Sequence, residues 1–459
     1  MTTPRTTRRL FLGTSAAAGA AAMSFSATSY ARIFGANARL NVAFVGTGGI
    51  ASGQAIGPSV RLGAGCPCYT DVDRRRMGKA TEHYPDAAAY TDYREMFDRH
   101  EKDIDAVYVS TPDHQHYPAT MRAMMAGIHV YTQKPLTHTM WESRQLLIAK
   151  ERYLVATQMG NQGHANEGNR RIVETIRQGA LGAITSAHIW TNRPIWRQGH
   201  DTPPGSEPTP AEFDWDSWLG PAPERPFRHE PSDRWGGFYH PFNWRGFWDF
   251  GCGAFGDMAC HTVDGFYWAM LPGYPVSAEL IEGTPIGFGD KYDTKGVVKL
   301  HFASHGDRPA FDLFWYEGGL KPEKPEELGD RNMPGSGCLI YGDKAKMFVQ
   351  GDYGNKSEIL DKEVAEAFGE PKKELPRSEG HHEEFHNACK GDKPYDHPKS
   401  NFGYSARLTE SILLGSVAQK VGGKLEYDAT NLRITNNDDA NRYVHKAYRP
   451  GWDFRMPGS

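Results

Sequence analysis

The sequence has 459 residues, with 52 Lys plus Arg against 56 Asp plus Glu, so its formal charge at neutral pH is only slightly negative. This length allows two or three domains with large buried cores, and the 50 glycines and 30 prolines favour a loop-rich α/β protein over a helical bundle. The charge balance excludes the basic surplus that holds a phosphate backbone, so we expect no nucleic acid partner.

The N-terminus resembles an export signal. Arg8 and Arg9 precede the apolar, small-residue run "LFLGTSAAAGAAAM" and the later "ATSYA". This pattern predicts a Tat signal peptide and linker over residues 1–38, and so a periplasmic or otherwise exported protein. The alternative is a disordered or membrane-anchoring N-terminus. We expect no transmembrane helix in the mature protein, because no segment approaches the roughly 20 apolar residues that a spanning helix needs.

A dinucleotide-binding pattern follows in "LNVAFVGTGGIASG". An apolar strand over residues 42–45 leads directly into G-x-G-x-x-A, the turn that brings a pyrophosphate to a helix N-terminus. Asp71 stands 20 residues after this turn, where a carboxylate binds the ribose hydroxyls, which favours NAD. Arg74 and Arg75 follow closely, so NADP is the alternative cofactor. The residues of the turn predicted to bind the cofactor are Gly46, Gly48, Gly49, Ile50 and Ala51.

Two further βα units are expected before residue 160. A buried strand over residues 106–110 precedes the loop "STPDHQH", and a second strand ending at Tyr131 precedes "TQKPL". Both loops leave the carboxyl ends of parallel strands, where ligands bind in doubly wound sheets. The cofactor contacts predicted from these loops are Thr111, Pro112, His116 and Gln133.

The stretch "GDMACHTVD" places Asp257 and His261 four residues apart and Asp264 three residues further on. In a helix this spacing puts a carboxylate and an imidazole on one face. Taken alone, the pair is typical of an ion pair on a helix surface. Its interpretation depends on the rest of the chain.

Taken together and in this order, "VGTGGIA", "STPDHQH", "QKPL" and "GDMACH" resemble the Gfo/Idh/MocA oxidoreductases, which include glucose-fructose oxidoreductase and inositol dehydrogenase. The resemblance covers nearly all of the chain after the signal. It implies an α/β fold with a Rossmann NAD(P)-binding domain over residues 39–160. A substrate-binding α/β domain over residues 161–430 would carry an open, mainly antiparallel sheet, and residues 431–459 would form a C-terminal return segment. That sheet often packs into dimers or tetramers, so a homo-oligomer is one expected state.

The resemblance also implies catalytic residues. Lys134 matches the lysine of the family's Glu-Lys-Pro signature, although Gln133 replaces the glutamate and would stabilise the ammonium less. Asp257 and His261 match the family's Asp-x-x-x-His pair. We expect His261 to act as general base or acid, oriented by Asp257, while Lys134 polarises the substrate oxygen. A metal held by Asp257, His261 and His240 is a rival, but hydride transfer with a lysine needs none, so no metal is expected.

Seven of the eleven tryptophans lie between residues 190 and 248, without the periodic spacing of a helix or strand. Aromatic faces beside polar groups suit a sugar, and the alternative is a layer that packs against the sheet. "GNQGH" at residues 160–164 either holds nicotinamide or substrate through Asn161 and Gln162 or is a linker turn. The predicted substrate contacts are Trp190, Asn192, Arg193, Tyr239, His240 and Arg245.

These features predict an exported NAD(P)-dependent oxidoreductase. It would move a hydride between a tightly bound nicotinamide cofactor and a secondary hydroxyl or carbonyl of a sugar, glycoside or polyol. One alternative is an NAD-dependent glycosidase that oxidises the ring transiently, but residues 190–192 lack the Tyr-x-His that such family members carry. Another is a non-catalytic carbohydrate-binding protein of the same fold.

Overall fold

The structure is a computed structural model that describes residues 39–202, 204–229, 236–287 and 289–457. The predicted export signal and Trp235 lie outside these ranges. Within them, no helix combines the length and the apolar character that crossing a bilayer requires.

The N-terminal part contains a six-stranded parallel sheet. β1, β4 and β5 are short, apolar and almost fully buried, as expected for strands covered on both faces. The strand order is β3-β2-β1-β4-β5-β6, so the order reverses beside β1 and leaves a crevice at the carboxyl ends of β1 and β4. The strands are β1 Val42–Val45, β2 Cys68–Thr70, β3 Ala88–Tyr90, β4 Ala106–Val109, β5 His129–Thr132 and β6 Thr157–Met159.

The helices of this part begin irregularly. The glycine turn is followed by a π-helical turn, Ser52–Ile56, and then by a short α-helix, because Gly53, Gly57 and Pro58 are poor helix formers. Two 3₁₀ turns, Arg74–Arg76 and Asp113–Gln115, follow β2 and β4. The α-helices are α1 Gly57–Arg61, α2 Gly78–His83, α3 Tyr93–His100, α4 His116–Met125 and α5 Met140–Tyr153.

The C-terminal part contains a nine-stranded sheet in the order β13-β12-β11-β7-β10-β9-β8-β14-β15. β7 and β10 pair in parallel, and the other recorded pairings are antiparallel, so the predicted α/β fold with a mainly antiparallel second sheet is confirmed. The strands are β7 Ile184–Trp190, β8 Ser277–Glu282, β9 Gly296–Phe302, β10 Phe311–Glu317, β11 Gly337–Gly342, β12 Lys346–Gln350, β13 Lys356–Ile359, β14 Lys424–Asp428 and β15 Arg433–Ile434.

The longest helix joins the two parts. This helix, α12 Phe402–Val421, is buried over most of its length and packs against α5 of the N-terminal part. It also packs against β8 and helix α8 Gly253–Thr262 of the C-terminal part. The 3₁₀ turns here are Gln162–Ala165, Asn243–Gly246, Glu326–Leu328 and Asp438–Ala440. The α-helices are α6 Glu167–Arg177, α7 Trp215–Leu219, α8 Gly253–Thr262, α9 Asp264–Met270, α10 Lys362–Phe368, α11 His381–Cys389, α12 Phe402–Val421 and α13 Asn441–Val444.

The end of the chain returns to the N-terminal part. The Trp452 ring packs edge-to-face against Tyr93 of α3, with 5.7 Å between ring centroids, and the Arg94 guanidinium lies over the same indole. The Tyr448 hydroxyl donates to the Glu142 carboxylate of α5. The last residues therefore pack on α3 and α5 of the N-terminal part, while the exact domain limits stay a prediction.

Candidate active site

A cavity of about 410 Å³ lies at the carboxyl ends of β1, β4 and β5, between the two parts of the chain. Its position is the switch point of the parallel sheet, where doubly wound folds bind dinucleotides. The parallel sheet supplies one wall and the aromatic segment before α8 supplies the other. Side chains that face each other across it include Ser110, Gln133 and Lys134 on one side and Trp218, Phe242 and Arg245 on the other.

The glycine turn after β1 forms the floor of this cavity. Gly46 has φ +86°, and a Cβ there would lie 2.7 Å from the carbonyl oxygen of Ser110, so a larger residue would force β1 and β4 apart. The side-chain hydroxyls of Ser110 and Thr111 are buried and have no partner within the described chain. Both line the cavity and leave hydrogen-bonding capacity for a ligand.

Asp71 lies beside this turn, as a ribose-binding carboxylate should. Its Oδ2 accepts hydrogen bonds from the backbone N–H groups of Thr47 and Gly48, at 2.9 and 3.0 Å. The Arg76 guanidinium lies over Gly48, so close that a Cβ on this glycine would clash with it. Arg75 instead pairs with Asp73 at 2.7 Å. Of the cations after β2, Arg76 lines the cavity.

Lys134 extends from the loop after β5 to helix α8. Its Nζ donates to the backbone oxygen and to Oδ1 of Asp257, both at 2.9 Å. Arg245 Nε donates to the same Oδ1 at 3.0 Å. Burial opposes the ionisation of Asp257, but the two cations prevail and hold the pKa of its carboxyl well below the usual range. The carboxylate is therefore ionised and serves as the counter-ion of the Lys134 ammonium.

His261 lies one helical turn beyond Asp257 and is buried. Burial and the charge of Lys134 lower the pKa of its imidazole to about 3, so the ring is neutral near pH 7. Its Nδ1 is buried and has no partner among the described residues, and the Tyr353 ring packs against it edge-to-face with 4.9 Å between centroids. No recorded hydrogen bond in the described chain joins Asp257 to His261. The contact that fixes the imidazole is the Tyr353 ring, whereas Asp257 holds Lys134.

Gln133 lines the cavity, whereas His116 does not. Both polar atoms of the Gln133 amide are buried without a partner in the described structure, and a Cβ on Gly160 would lie 2.4 Å from its Oε1. His116 lies behind the cavity wall. Its ring nitrogens lie 2.7 Å from the Pro135 carbonyl oxygen and 3.0 Å from that of Thr111. His116 thus ties together the two loops that carry site residues.

Asp113 is a site residue that the sequence analysis missed. It opens the 3₁₀ turn after β4, lines the cavity, and accepts a hydrogen bond at 3.0 Å from the backbone N–H of Cys252 at the start of α8. Burial raises the pKa of its carboxyl to about 7, against the opposing charge of Arg245. An acidic residue in the ligand-facing loop "STPDHQH" was the available signal.

Two predicted substrate contacts are buried in hydrophobic clusters and do not line the cavity. Trp190 is fully buried, and its indole N–H donates to the Pro334 carbonyl oxygen at 2.9 Å. Tyr239 is fully buried in an aromatic cluster, and its hydroxyl donates to Thr202 Oγ1 at 3.2 Å. The structure assigns packing roles to both, because neither ring faces the cavity.

The other predicted substrate contacts fall in three places. Arg245 joins Lys134 on Asp257, as described above. His240 lines the cavity at the Asp71 end, where its Nε2 lies 3.1 Å from Asp73 Oδ2. Asn192 and Arg193 contact each other on the loop after β7, with Arg193 at 4.0 Å from Asp352. The described part of the chain holds no group of three or more His, Cys, Asp or Glu with metal-site geometry.

The junction residues Asn161 and Gln162 stand outside the cavity lining. The Asn161 amide nitrogen donates to the Cys260 carbonyl oxygen at 3.4 Å, and its Oδ1 accepts from the Ser400 hydroxyl. Gln162 begins the 3₁₀ turn Gln162–Ala165. Asn161 therefore links the N-terminal part to helix α8, behind the residues that face the cavity.

Comparison with known sequences agrees with this architecture. Residues 40–160 match the profile of the Gfo/Idh/MocA oxidoreductases, NAD-binding Rossmann fold. Residues 179–274 and 335–454 match the profile of the C-terminal α/β domain of the same oxidoreductase family. The chain belongs to the Gfo/Idh/MocA oxidoreductase family. Lys134 and Asp257 thus come from the two domains that define this family, and the salt bridge between them spans the domain contact.

Individual relatives of this Gfo/Idh/MocA protein are distant. A 1,5-anhydro-D-fructose reductase from Ensifer adhaerens is 32% identical over 90 residues, 19% of this chain and 26% of the relative. A glycosyl hydrolase family 109 protein from Shewanella sp. (strain MR-4) is 31% identical over 130 residues, 27% of this chain and 28% of the relative. The chain thus spans about a quarter of the length of the curated relatives it matches.

The fold is also that of solved structures. The WlbA dehydrogenase from Bordetella pertussis, in complex with NADH and UDP-GlcNAcA, superposes with a TM-score of 0.57 at 18% sequence identity. The match covers 85% of this chain and 98% of that one. At this identity the likeness shows the fold alone.

Proposed function

We propose that this protein is an exported NAD(P)-dependent oxidoreductase that acts on a secondary hydroxyl or carbonyl of a sugar, glycoside or polyol. One observation carries the proposal. Lys134, which lines the glycine-turn cleft, keeps its ammonium on the Asp257 carboxylate that Arg245 also contacts, and its charge acts on the buried, neutral imidazole of His261. A positive hydrogen-bond donor and a neutral proton acceptor are what the interconversion of an alcohol and a ketone requires.

The residues of the cleft fit a dinucleotide. Gly46 lets the turn pack against the end of β4, Gly48 makes room for the Arg76 guanidinium, and Asp71 lies where ribose hydroxyls would come. The unpartnered hydroxyls of Ser110 and Thr111 offer further polar contacts at the carboxyl end of β4. A nicotinamide held there supplies the hydride chemistry. The proton and the substrate oxygen fall to the chain itself.

Lys134 and His261 divide that work. The Lys134 ammonium donates to the substrate oxygen and stabilises the negative charge that develops on it. His261 accepts the hydroxyl proton during oxidation and returns it during reduction. Asp257 supplies the counter-charge for Lys134 that the neutral Gln133 cannot, which answers the departure from the Glu-Lys-Pro signature.

A tightly held cofactor fits the cover over the cleft. α7 and the segment around His240 lie across the cavity, and Trp218, Phe242 and Trp244 face the parallel sheet from there. Trp218 and Trp244 belong to a larger aromatic cluster, so moving this cover would disturb several buried rings. This burial favours retention of the dinucleotide through many turnovers and its regeneration in place by a second substrate.

Export is the second part of the proposal. The twin arginine and the small-residue run of residues 1–38 support a Tat signal, and Tat exports folded proteins, so the cofactor would be bound before export. Replacing Arg8 and Arg9 with lysine should leave the protein in the cytoplasm, as measured by cell fractionation. A cytoplasmic location of the parent protein would contradict this part alone.

We also propose a homo-oligomer. His188, Phe314, Tyr316 and Tyr341 form a half-buried aromatic layer on one face of the nine-stranded sheet. Burying this layer against a second copy would remove apolar surface from water. Light scattering should then give a multiple of the chain mass, and Phe314→Glu should lower it. A parent that is monomeric at high concentration would contradict this point.

A glycosidase is the second candidate function, favoured by the partial match to a glycosyl hydrolase family 109 protein. Such an enzyme would oxidise and reduce the same sugar, with cleavage of the glycoside between the two steps. A chromogenic glycoside separates the candidates. Aglycone release without net NADH formation supports the glycosidase, and sugar oxidation with reduction of the bound cofactor supports the oxidoreductase.

The decisive experiment combines mass analysis with turnover. The purified protein should contain bound NAD(P), and a panel of sugars and polyols should include one that reduces it. Lys134→Ala should keep the dinucleotide but lose about 10²- to 10⁴-fold in hydride transfer. The exposed Lys79→Ala serves as control and should match the parent. Full activity of Lys134→Ala, or a protein that binds no dinucleotide, would refute the proposal.

A further inference from the structure

The turn between β12 and β13 brings Tyr353 against His261, a contact that no sequence pattern indicated. Tyr353 packs its ring on the imidazole, and Asp352 precedes it. Gly351 and Gly354 flank the pair at φ +78° and +66°, which forms the tight reversal in "GDYG". Residues from one edge of the nine-stranded sheet thus reach helix α8, which carries Asp257 and His261.

This turn is firmly seated on the domain junction. A Cβ on Gly168 would lie 2.1 Å from the Gly354 carbonyl oxygen, and a Cβ on Gly163 would lie 3.3 Å from the Tyr353 ring. Gly168 is therefore needed for the turn to approach, and Gly163 leaves a tight fit against the Tyr353 ring. Such close backbone packing keeps Asp352 and Tyr353 in one place, as a binding residue requires.

The Asp352 carboxylate lacks donors. Its Oδ1 is buried and accepts no hydrogen bond from the described residues, and its Oδ2 lies 4.0 Å from Arg193, beyond hydrogen-bond range. Buried carboxylate oxygens are normally hydrogen-bonded, so an exception one residue from the Tyr353 ring that packs on His261 indicates a ligand. The buried Nδ1 of His261 is a second polar atom without a partner in the described chain.

The charge of the pair restricts the ligand. A carboxylate accepts hydrogen bonds and repels anions, so it suits hydroxyl groups and disfavours a carboxylate or phosphate. One carboxylate can accept from two adjacent hydroxyls, and the nearby guanidinium of Arg193 can donate to one of them. A neutral vicinal diol matches this arrangement of one acceptor group and one donor group.

We infer that Asp352, with Arg193, binds two neighbouring hydroxyls of the substrate beside His261, and that the substrate is a neutral sugar with no anionic group at this end. This inference rests on the proposed function and deepens it. Tyr353 is a positioning residue, which keeps the imidazole and the diol side by side. Asp352 determines specificity and takes no proton in the reaction.

Binding of sugars to the NADH-loaded protein tests the inference by calorimetry. The probes are D-glucose, D-galactose and D-mannose, their monodeoxy derivatives, and D-glucuronate. At least one neutral sugar should bind, and Asp352→Asn should weaken it about 10- to 100-fold, because a charge-assisted hydrogen bond is lost. A sugar that lacks the hydroxyl bound by Asp352 should bind the parent about 10- to 100-fold more weakly than the complete sugar does. The same deletion should lower the affinity of Asp352→Asn less than about threefold.

Asp343→Asn is the matched control, since Asp343 lies in the turn at the opposite end of β12 and should leave sugar affinity unchanged. Equal sugar affinity in Asp352→Asn and parent, binding of D-glucuronate in preference to the neutral sugars, or no binding of any neutral probe would overturn the inference. Hydride transfer with an unaltered KM in Asp352→Asn refutes the inference and leaves the proposed function intact. Asp352-dependent sugar binding without hydride transfer supports the inference and refutes the proposed function.

Discussion

At the scale of single residues, Asp113 offers a test of how burial sets charge in the site. The pKa of its carboxyl is raised to about 7, from about 3.8 for a free side chain, so folding binds a proton between these values. A folded state that binds the extra proton loses stability as pH rises through this window. Asp113→Asn stays neutral, so its free energy of unfolding should rise against that of the parent by about 1.4 kcal/mol per pH unit between roughly pH 5 and 7.

Urea unfolding of Asp113→Asn and parent across this range measures the difference. The exposed Asp98→Asn is the control, and its difference from the parent should stay constant with pH. A constant difference for Asp113→Asn as well would mean that the carboxyl is ionised in the folded protein at all these pH values.

Charge partners in the site were predictable only in part. Lys134, Asp257 and His261 follow from motif matches. Of the three, Lys134 lines the cleft, Asp257 pairs with it, and the charge of Lys134 acts on His261. Their pairing does not follow. Helical spacing suggested that Asp257 faces His261, but Lys134 and Arg245 reach the carboxylate from elsewhere in the chain, and two cations bind it better than a neutral imidazole. Contacts between distant segments leave no periodic signal in the sequence.

At the scale of elements, the turn after β1 can be tested with two glycines that lie close together in sequence. Gly46 has φ +86°, and its missing Cβ lies 2.7 Å from the Ser110 carbonyl oxygen. Gly46→Ala should therefore cost about 1–3 kcal/mol in stability and abolish dinucleotide retention. Gly53 has open space around it and helical backbone, so Gly53→Ala should be neutral or stabilise by about 0.4–1 kcal/mol.

Thermal unfolding and mass analysis of bound dinucleotide distinguish the two variants. A Gly46→Ala protein that purifies with a full complement of dinucleotide would show that the turn does not hold the cofactor. A strongly destabilised Gly53→Ala would show that the π-helical turn tolerates no side chain there.

Elements with a strong local pattern were predicted well. The strand Val42–Val45, the loop after β4 and a helix through Asp257 and His261 all appear at the expected places. The spacing rule fails after Thr262, where α8 ends and Asp264 opens α9. Its carboxylate contacts His164 at 3.0 Å. The contact of the turn that carries Asp352 was not predicted. Two glycines in a hairpin indicate that the chain reverses, but they do not indicate which part of the molecule the turn packs against.

At the scale of the whole molecule, the two domains depend on each other for the site. Lys134 comes from one domain, Asp257 and Arg245 come from the other, and α12 packs against both. The Rossmann fold of the N-terminal domain was predictable from its own strand and glycine motifs, whereas the fold of the second domain was predicted from the family resemblance. It did not reveal that the aromatic segment covers the cofactor cleft, because irregular aromatic spacing fits a ligand site and a packing layer equally well.

The balance of buried histidines and acids predicts how the whole molecule responds to acid. Burial lowers the pKa of five imidazoles from about 6.5 to about 3 or 4; they belong to His114, His116, His261, His382 and His386. Burial raises the pKa of two carboxyls, Asp113 and Glu317, to about 7. His138 and His381 are buried too, and the pKa of each imidazole is lowered well below 6.5. Near pH 5 unfolding thus takes up seven protons on the histidines and releases two from the acids.

A net uptake of five protons means that stability falls as pH falls, by about 7 kcal/mol per pH unit between roughly pH 6 and 4.5. Since domains are stable by only about 5–15 kcal/mol, the protein should unfold before pH 4 is reached. Guanidinium unfolding at several pH values measures the slope. His382→Gln should reduce it by about 1.4 kcal/mol per pH unit, and the exposed His83→Gln should not. A slope near zero would mean that these imidazoles are protonated inside the folded chain, and His261 could then not serve as the neutral base.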